Sequence, residues 1–344
     1  MRVAVLGAGE LGITYIAEHE GSGRRFAMKE YLPRAIAYRD GPTVRVPEAS
    51  MPAFAWGLER FLAEGRALAK VRHPAILTVH SALEGNGTGY MVMAQEPGRD
   101  LVVWMHELRR PPTQEQIDKV LAPLLEGLAA VHAKDLLHLE ITPSSILIRE
   151  NGTPVLLDFG AVRLGMRRRL NAQTPPAIKP FMSPEVIAAD SNLIGPCSDI
   201  YSLSAVLYTM VTGSPPPVPD RRVLRDELVP AAEAAKGKYR PGFLAAIDAG
   251  LRFRPDERPQ RIASWQSDLL GTEPPKPAAR KTEPQKAETS SAATAAAPAS
   301  AKAARAAASP EADLPLVEAM PKASPTLSSF DRVRWQMETI SAPG

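Results

Sequence analysis

The chain has 344 residues, of which 44% are hydrophobic, enough for one large domain or two ordinary ones. Its formal net charge of +3 gives no general electrostatic attraction to nucleic acid or to an anionic membrane. The sequence has a single cysteine, Cys197, which excludes an intramolecular disulfide, and it shows neither a signal peptide nor a membrane-spanning apolar run. These features predict a soluble, cytoplasmic protein.

Composition divides the chain into three parts. Residues 1–270 carry periodic apolar patterns, with mostly strands predicted in 1–97 and mostly helices in 98–270. The clearest helix is predicted over Gln114–His132, with Thr113 and Gln116 forming a capping box. Residues 271–325, dominated by Ala, Pro, Ser, Lys and Glu, are predicted to be a disordered linker. Residues 326–344 have helical apolar spacing, which predicts a short amphipathic helix, either a frayed tail or a docking peptide.

The first motif, Gly7, Gly9 and Gly12, has G-x-G-x-x-G spacing and allows two interpretations. A dinucleotide-binding fold needs a helix directly after Gly12, with Glu30 at the distance of a ribose contact. Instead, residues 13–17 are β-branched, aromatic or small, and glycines at 21 and 23 provide a turn. This pattern predicts a strand–glycine turn–strand hairpin rather than the start of a dinucleotide-binding unit.

Further motifs follow in a fixed order. A strand Lys or a helix Glu alone is usually a solvated charge, but an ordered series of motifs is not explained in that way. The motifs are Phe26-Ala27-Met28-Lys29, Glu64 in Phe61–Glu64, His138-Leu139-Glu140, Asp158-Phe159-Gly160, Ser183-Pro184-Glu185, Asp199 in Asp199–Leu203 and Arg258.

These residues resemble the motifs of bacterial eukaryotic-like Ser/Thr protein kinases over residues 1–270. The resemblance implies an α+β, two-lobed protein kinase fold. Its small β-rich N-lobe with one helix, αC, would span 1–97, and its larger helical C-lobe would span 98–270. It also implies that Glu185 pairs with Arg258.

ATP and Mg²⁺ are the cofactors that the resemblance implies, bound between the lobes. Lys29 would contact the phosphates and pair with Glu64, while Asp158 would hold Mg²⁺. Ala27 and Leu147 would enclose the adenine. The residues implied to bind nucleotide are Gly7, Gly9, Gly12, Ala27, Lys29, Glu64, the gatekeeper Met93, the hinge residue Gln95, Leu147 and Asp158. Metal would be held by Asp158 and Ser145.

The catalytic loop departs from the family pattern H-R-D-[IL]-K-P-x-N. Glu140 replaces the Asp that acts as base, and a displacement of about 1 Å can cost roughly a hundredfold in rate. Thr142 replaces a Lys that neutralises the transferring phosphoryl group. Ser145 replaces the Asn that holds the second metal, and Leu139 replaces the Arg that contacts an activation-loop phosphate.

Two functions therefore remain open. One is a pseudokinase that binds ATP and presents a regulatory or scaffolding surface to a protein partner. The other is a weakly active Ser/Thr kinase that uses Glu140 as base, with Lys29 and Asp158, on a protein substrate. The arginines at 167–169 are expected to be a solvated run, with docking of an acidic partner as the alternative. A dinucleotide-dependent oxidoreductase is disfavoured by the ordered downstream motifs.

Overall fold

A computed structural model describes residues 2–18, 21, 23–175 and 177–271. The predicted linker and tail helix, 271–325 and 326–344, lie outside the described residues apart from Gly271. The strands are β1 (Arg2–Gly9), β2 (Gly12–Glu18), β3 (Arg25–Tyr31), β4 (Tyr38–Asp40), β5 (Thr43–Arg45), β6 (Val79–Gly85), β7 (Thr88–Ala94), β8 (Arg99–Asp100), β9 (Ile146–Ile148) and β10 (Pro154–Leu156). The helices are α1 (Met51–Leu68), α2 (Leu101–Leu108), α3 (Gln114–His132), α4 (Ala161–Arg169), α5 (Pro184–Ala188), α6 (Pro196–Thr212), α7 (Pro219–Leu224), α8 (Ala231–Ala234), α9 (Pro241–Gly250) and α10 (Ile262–Leu270).

The N-lobe is a five-stranded antiparallel sheet of order β1-β2-β3-β7-β6, against which α1 packs. Strands β1 and β2 form a hairpin in which Gly9 pairs with Gly12, so the predicted glycine hairpin is confirmed. Gly12 has a φ of +155°. A Cβ on Gly12 would overlap the backbone carbonyl of Glu30 on β3, so only glycine allows the two strands this approach.

A buried carboxylate fixes the segment between β3 and α1 to the sheet. Glu30 is fully buried and accepts hydrogen bonds from the hydroxyls of Tyr15 and Tyr90, each at 2.9 Å. Arg39 on β4 donates to the same carboxylate and supplies the opposite charge. Because a buried carboxylate is costly unless it is paired and hydrogen-bonded, these three donors explain how Glu30 is tolerated.

The C-lobe is built around two long helices. α3 spans the predicted Gln114–His132, and both hydrogen bonds of the predicted capping box between Thr113 and Gln116 are present. Helix α6 is buried along nearly its whole length, as expected for the centre of a helical lobe. No helix in residues 2–271, apart from the gaps noted above, has the length and apolarity needed to cross a bilayer.

Helix α4 begins directly after Gly160 and packs against α1. Two glycines allow the close approach of these helices. A Cβ on Gly165 of α4 would overlap the ring of Trp56 on α1, and a Cβ on Gly57 of α1 would lie 2.5 Å from the sulfur of Met166 on α4. Interior glycines weaken a helix by roughly 0.5–1 kcal/mol relative to alanine, so both positions favour packing over helix propensity.

Candidate nucleotide site and catalytic loop

Lys29 and Asp158 meet at the base of the cleft between the lobes. Lys29 projects from β3, and its ammonium donates to Oδ1 of Asp158 at 3.0 Å. Asp158 follows β10 and takes a left-handed backbone conformation with φ of 57°. The ammonium of Lys29 holds the pKa of the Asp158 carboxyl well below its usual range. The carboxylate therefore stays charged, as a metal ligand must be.

Glu64 on α1 lies in the same cavity, but the predicted pair with Lys29 is not formed. Lys29 donates to Asp158 instead, and among the described residues no ion pair joins Lys29 to Glu64. Its Oε2 atom has no hydrogen-bond partner among the described residues. Burial raises the pKa of Glu64 to about 7, because desolvation outweighs the attraction of Lys29. The predicted pair is absent because the ammonium of Lys29 binds the carboxylate of Asp158.

The cavity behind the cleft contains four of the predicted nucleotide-binding residues, namely Lys29, Glu64, Met93 and Asp158. Apolar side chains complete its lining: Leu68, Leu77, Val79, Met91 and Phe159. Ala27, Leu147 and Gln95 lie outside this cavity. Ala27 pairs with Met93 across β3 and β7, Leu147 pairs with Asp100 across β9 and β8, and Gln95 directly follows β7.

The glycine turn lies at the end of the β1–β2 hairpin. Among the described residues, Cβ atoms on Gly7 and Gly9 would meet nothing within 4 Å, in contrast to Gly12, and neither glycine has a positive φ. Neither packing nor backbone geometry therefore requires glycine at these two positions. The next residue, Glu10, is drawn toward the C-lobe because its Oε2 accepts a hydrogen bond from Arg167 at 2.7 Å.

The catalytic loop is held from below by Asp199 of α6. Its fully buried carboxylate accepts the backbone N–H groups of His138 and Leu139 at 2.9 and 2.7 Å and contacts the ring of His132 at 2.8 Å. The ring of His138 stacks on Phe159 with centroids 4.5 Å apart. These contacts fix the backbone directly before Glu140.

Both carboxylate oxygens of Glu140 are bound by arginines of α4. Arg163 donates to Oε2 at 2.6 Å, and both terminal nitrogens of Arg167 lie 3.3 Å from Oε1. The side chain of Glu140 is only 7% exposed, and that of Arg167 is 6% exposed. The expectation of a solvated run at 167–169 is therefore wrong for Arg167. Spacing of i and i+4 after Asp158-Phe159-Gly160 places Arg163 and Arg167 on one helix face, and this was the signal available in the sequence.

Leu139, which stands where the family has Arg, is buried with a φ of 60°. A left-handed conformation is costly for a branched apolar residue, so the surrounding contacts must hold it. Leu139 belongs to an apolar cluster that includes two residues of α4 and the segment before α6: Ala161, Leu164, Met182, Val186 and Ile194. It packs against α4 at a position where the family would provide a phosphate-binding Arg.

Thr142 and Ser145, the other two residues at which the catalytic loop differs from the family pattern, hydrogen-bond to each other. The hydroxyl of Ser145 donates to the carbonyl of Thr142 at 3.0 Å and accepts the backbone N–H of Thr142 at 2.9 Å. Metal binding through Ser145 remains a prediction, and it would use the one lone pair that these bonds leave. Within the described residues, no cluster of three His, Cys, Asp or Glu side chains could hold a metal alone. Asp158, with a side chain 58% exposed, fits a Mg²⁺ ion that takes its other ligands from nucleotide phosphates.

The predicted pair between Glu185 and Arg258 is confirmed. Arg258 donates to Oε1 and Oε2 of Glu185 at 2.8 and 3.0 Å, and both side chains are almost completely buried. This bidentate pair joins α5 to the loop before α10.

Comparison with known proteins agrees with this architecture. Residues 1–227 match the protein kinase domain model. The chain is 27% identical to serine/threonine-protein kinase PknB of Mycobacterium leprae over 70% of its length and 40% of the relative. It is 29% identical to serine/threonine-protein kinase PknL of Mycobacterium tuberculosis over 62% of its length and 54% of the relative. The chain thus spans about half or less of these curated relatives.

The solved apo form of PpkA-294 has 33% sequence identity to the chain and superposes with a TM-score of 0.69. The alignment covers 77% of this chain and 94% of PpkA-294. The domain match, the sequence relatives and this shared fold agree with the motifs and with the two-lobed architecture. The chain belongs to the protein kinase family, among the bacterial eukaryotic-like Ser/Thr protein kinases.

Proposed function

We propose that the chain binds ATP with Mg²⁺ in the cleft and acts as a pseudokinase, a regulatory or scaffolding module for a protein partner. The observation that carries nucleotide binding is the combination of Lys29 and Asp158 at 3.0 Å with the open turn at Gly7 and Gly9. Lys29 would bind the α- and β-phosphates, and Asp158 would hold the Mg²⁺ that neutralises them. Backbone N–H groups of the turn would approach the phosphates closely because no Cβ atoms stand in the way.

The catalytic loop supports the pseudokinase part of the proposal. A general base must reach the substrate hydroxyl, at about 2.6–3.2 Å between heavy atoms. Glu140 is instead buried, and guanidinium groups occupy both of its oxygens. Phosphoryl transfer also needs a cation near the transferred group, a position at which this chain has Thr142.

The alternative is slow transfer of the ATP γ-phosphate to protein hydroxyls. The retained carboxylate of Glu140 favours this alternative, since the position keeps the chemical group of a base, although its side chain is one methylene longer. For Glu140 to act, Arg163 and Arg167 would first have to leave it.

Nucleotide binding is tested by thermal unfolding of the full chain with Mg²⁺ and ATP or ADP. A ligand at a hundred times its Kd stabilises a protein by about 2.7 kcal/mol, which gives a measurable rise in Tm. Lys29→Ala should remove this rise, whereas Lys236→Ala, at an exposed lysine of the C-lobe, should keep it. A Tm that millimolar Mg-nucleotide leaves unchanged would show that the proposal is wrong.

Phosphoryl transfer is tested separately, with labelled ATP and a generic basic protein. We expect no transfer by the wild type, and we expect none by Asp158→Asn, which serves as the blank. Wild-type turnover near the usual kinase range of roughly 1–100 per second would show that the pseudokinase proposal is wrong and that the chain is an active kinase.

A further inference from the structure

We propose that Arg149 is a positioning residue for the nucleobase, because it holds the hinge between the two lobes through the side chain of Glu96. The hinge, residues 95–98, joins β7 of the N-lobe to β8 of the C-lobe. The kinase resemblance implies that the hinge residue Gln95 contacts the nucleotide. The inference deepens the proposed function, on which it rests, by naming the group that makes this site select one base over another.

The hinge has few backbone attachments of its own. The last backbone hydrogen bond before it runs from the N–H of Ala94 to the carbonyl of Thr78, at 2.9 Å. Among the described residues, the backbone of Gln95 and of Glu96 takes part in no backbone–backbone hydrogen bond. The backbone groups that a base could use therefore belong to a segment that needs another attachment to keep them in place.

Arg149 provides this attachment. Its Nε atom and one terminal nitrogen donate to the two carboxylate oxygens of Glu96 at 2.7 and 2.9 Å, which makes the pair bidentate. The side chains of Arg149 and Glu96 are only 22% and 15% exposed, so water competes less with this pair than with a surface ion pair. The other terminal nitrogen donates to the carbonyl of Pro74 at 3.0 Å, and all three guanidinium nitrogens are thus engaged.

Arg149 is itself fixed in the C-lobe. It directly follows β9, and its backbone N–H donates to the carbonyl of Thr153 at 2.9 Å across the turn to β10. Its own carbonyl accepts the N–H of Gly152 at 2.9 Å, which closes this turn. The N–H of Leu156 in β10 donates to the carbonyl of Ala75, so the chain beside Pro74 is attached to the same pair of strands.

The far end of the hinge is fixed by close packing. Gly98 has a φ of +158°, and a Cβ there would lie 2.5 Å from the carbonyl oxygen of Ile148 in β9. The hinge is therefore held against the end of β9 twice, by the approach of Gly98 and by the pair of Arg149 with Glu96. Without Arg149, residues 95–97 would be attached only at their two ends, and their backbone would gain freedom.

A hinge held in this way can distinguish adenine from guanine. At the same ring position adenine carries an amino donor and guanine a carbonyl acceptor, so the two bases need opposite partners. A site whose hydrogen-bonding groups are already in place rejects a ligand that leaves them unpaired. The contacts of Lys29 and Asp158 with phosphates and Mg²⁺ are the same for both nucleotides. Arg149 should therefore affect the choice of base and not the binding of phosphate.

The test compares the Kd for Mg-ATP with the Kd for Mg-GTP, measured by calorimetry on the full chain. We expect the wild type to prefer ATP by about tenfold or more. Arg149→Gln and, independently, Glu96→Gln should each raise the Kd for Mg-ATP roughly tenfold, as expected when a hydrogen-bonded charge pair is lost, and leave the Kd for Mg-GTP unchanged. The double variant should lose no more than either single variant, because both substitutions break the same pair.

Arg254→Gln is the matched control. Arg254 also forms a bidentate pair, with Asp256 at 3.1 and 2.8 Å, but these side chains are 67% and 64% exposed. Both Kd values of this variant should equal those of the wild type.

The ratio of the two Kd values separates positioning from a structural role. A parallel rise of both Kd values in the test variants would show a general loss of structure and would overturn the inference. A wild type that binds ATP and GTP equally, or a ratio that neither test variant changes, would overturn the inference and leave nucleotide binding intact. If the wild type binds neither nucleotide, the proposed function fails and the inference fails with it.

Discussion

The buried ion pairs of Glu185 and of Glu140 differ in what they hold together. Glu185 and Arg258 form a bidentate pair in the C-lobe, and Arg258 also donates to three backbone carbonyls, those of Arg252, Phe253 and Cys197. Glu140 is bound by Arg163 and Arg167, which both belong to the single helix α4. In the first cluster the partners come from several parts of the C-lobe, whereas in the second both arginines belong to one helix.

The same chemistry therefore joins separate parts of one lobe in the first cluster and attaches a single helix in the second. Removing one partner of a buried ion pair is strongly destabilising when the remaining charge cannot reach water. For Glu185, at 1% side-chain exposure, no such route exists without unfolding. For Glu140, departure of α4 would open the route. The following predictions test this contrast.

The largest effect is expected from Arg258→Ala. The substitution leaves Glu185 buried and unpaired, at a cost of about 3–5 kcal/mol in the free energy of unfolding. Urea denaturation of wild type and variant measures it. Arg254→Ala, four residues earlier and exposed, should cost less than about 0.5 kcal/mol. If Arg258→Ala lost no more stability than Arg254→Ala, the pair of Glu185 and Arg258 would not stabilise the folded C-lobe.

Another buried carboxylate, that of Glu64, has no guanidinium within hydrogen-bond distance among the described residues, and it shows what the arginines provide. Its pKa in the folded chain is about 7, against an ordinary value of 4.5. The stability that protonated Glu64 provides is therefore complete below pH 4.5 and is lost as the pH rises through 7. Glu64→Gln should gain up to about 3 kcal/mol relative to wild type between these limits.

Urea denaturation at pH 5, 6, 7 and 8 measures this difference. Glu59→Gln, at an exposed position of the same helix, is the control and should follow the wild type at every pH. A Glu64→Gln profile parallel to the wild type would mean that Glu64 is already ionised at the lower pH.

The smallest effect is expected from Arg163→Gln with Arg167→Gln, in the free energy of global unfolding. Because Glu140 would become hydrated if α4 moved away, we expect a loss of about 1–2 kcal/mol, smaller than that for Arg258→Ala. The same urea titration provides the measurement. Equal losses in the two variants would show that Glu140 is braced as firmly as Glu185.

The order of the helices and motifs along the chain could be predicted from the sequence, because each has its own apolar periodicity, capping residues or motif residues. Helix α3 begins and ends where apolar periodicity and the Thr113 capping box place it. The pair of Glu185 and Arg258 also follows from motif order, since both residues lie in rigid parts of a shared fold.

The arrangement around Glu140 was not predictable from the catalytic-loop motif alone. Its partner Arg163 lies 23 residues away, and their contact depends on whether the residues after Asp158-Phe159-Gly160 form a helix. That choice is decided by packing rather than local propensity, since Gly165 disfavours helix but permits contact with Trp56. The expected pair of Lys29 with Glu64 is absent because Lys29 binds the carboxylate of Asp158, 129 residues away.

Arg167 shares one guanidinium between Glu140 and Glu10, and this sharing couples the two ends of the cleft thermodynamically. Linkage requires that if breaking one of these contacts changes the affinity for nucleotide by some factor, bound nucleotide changes the stability of that contact by the same factor. A protein that distinguishes the bound from the unbound form of Arg167 would then distinguish the nucleotide-loaded chain from the empty chain. Nucleotide could in this way be read by a partner without any phosphate being transferred.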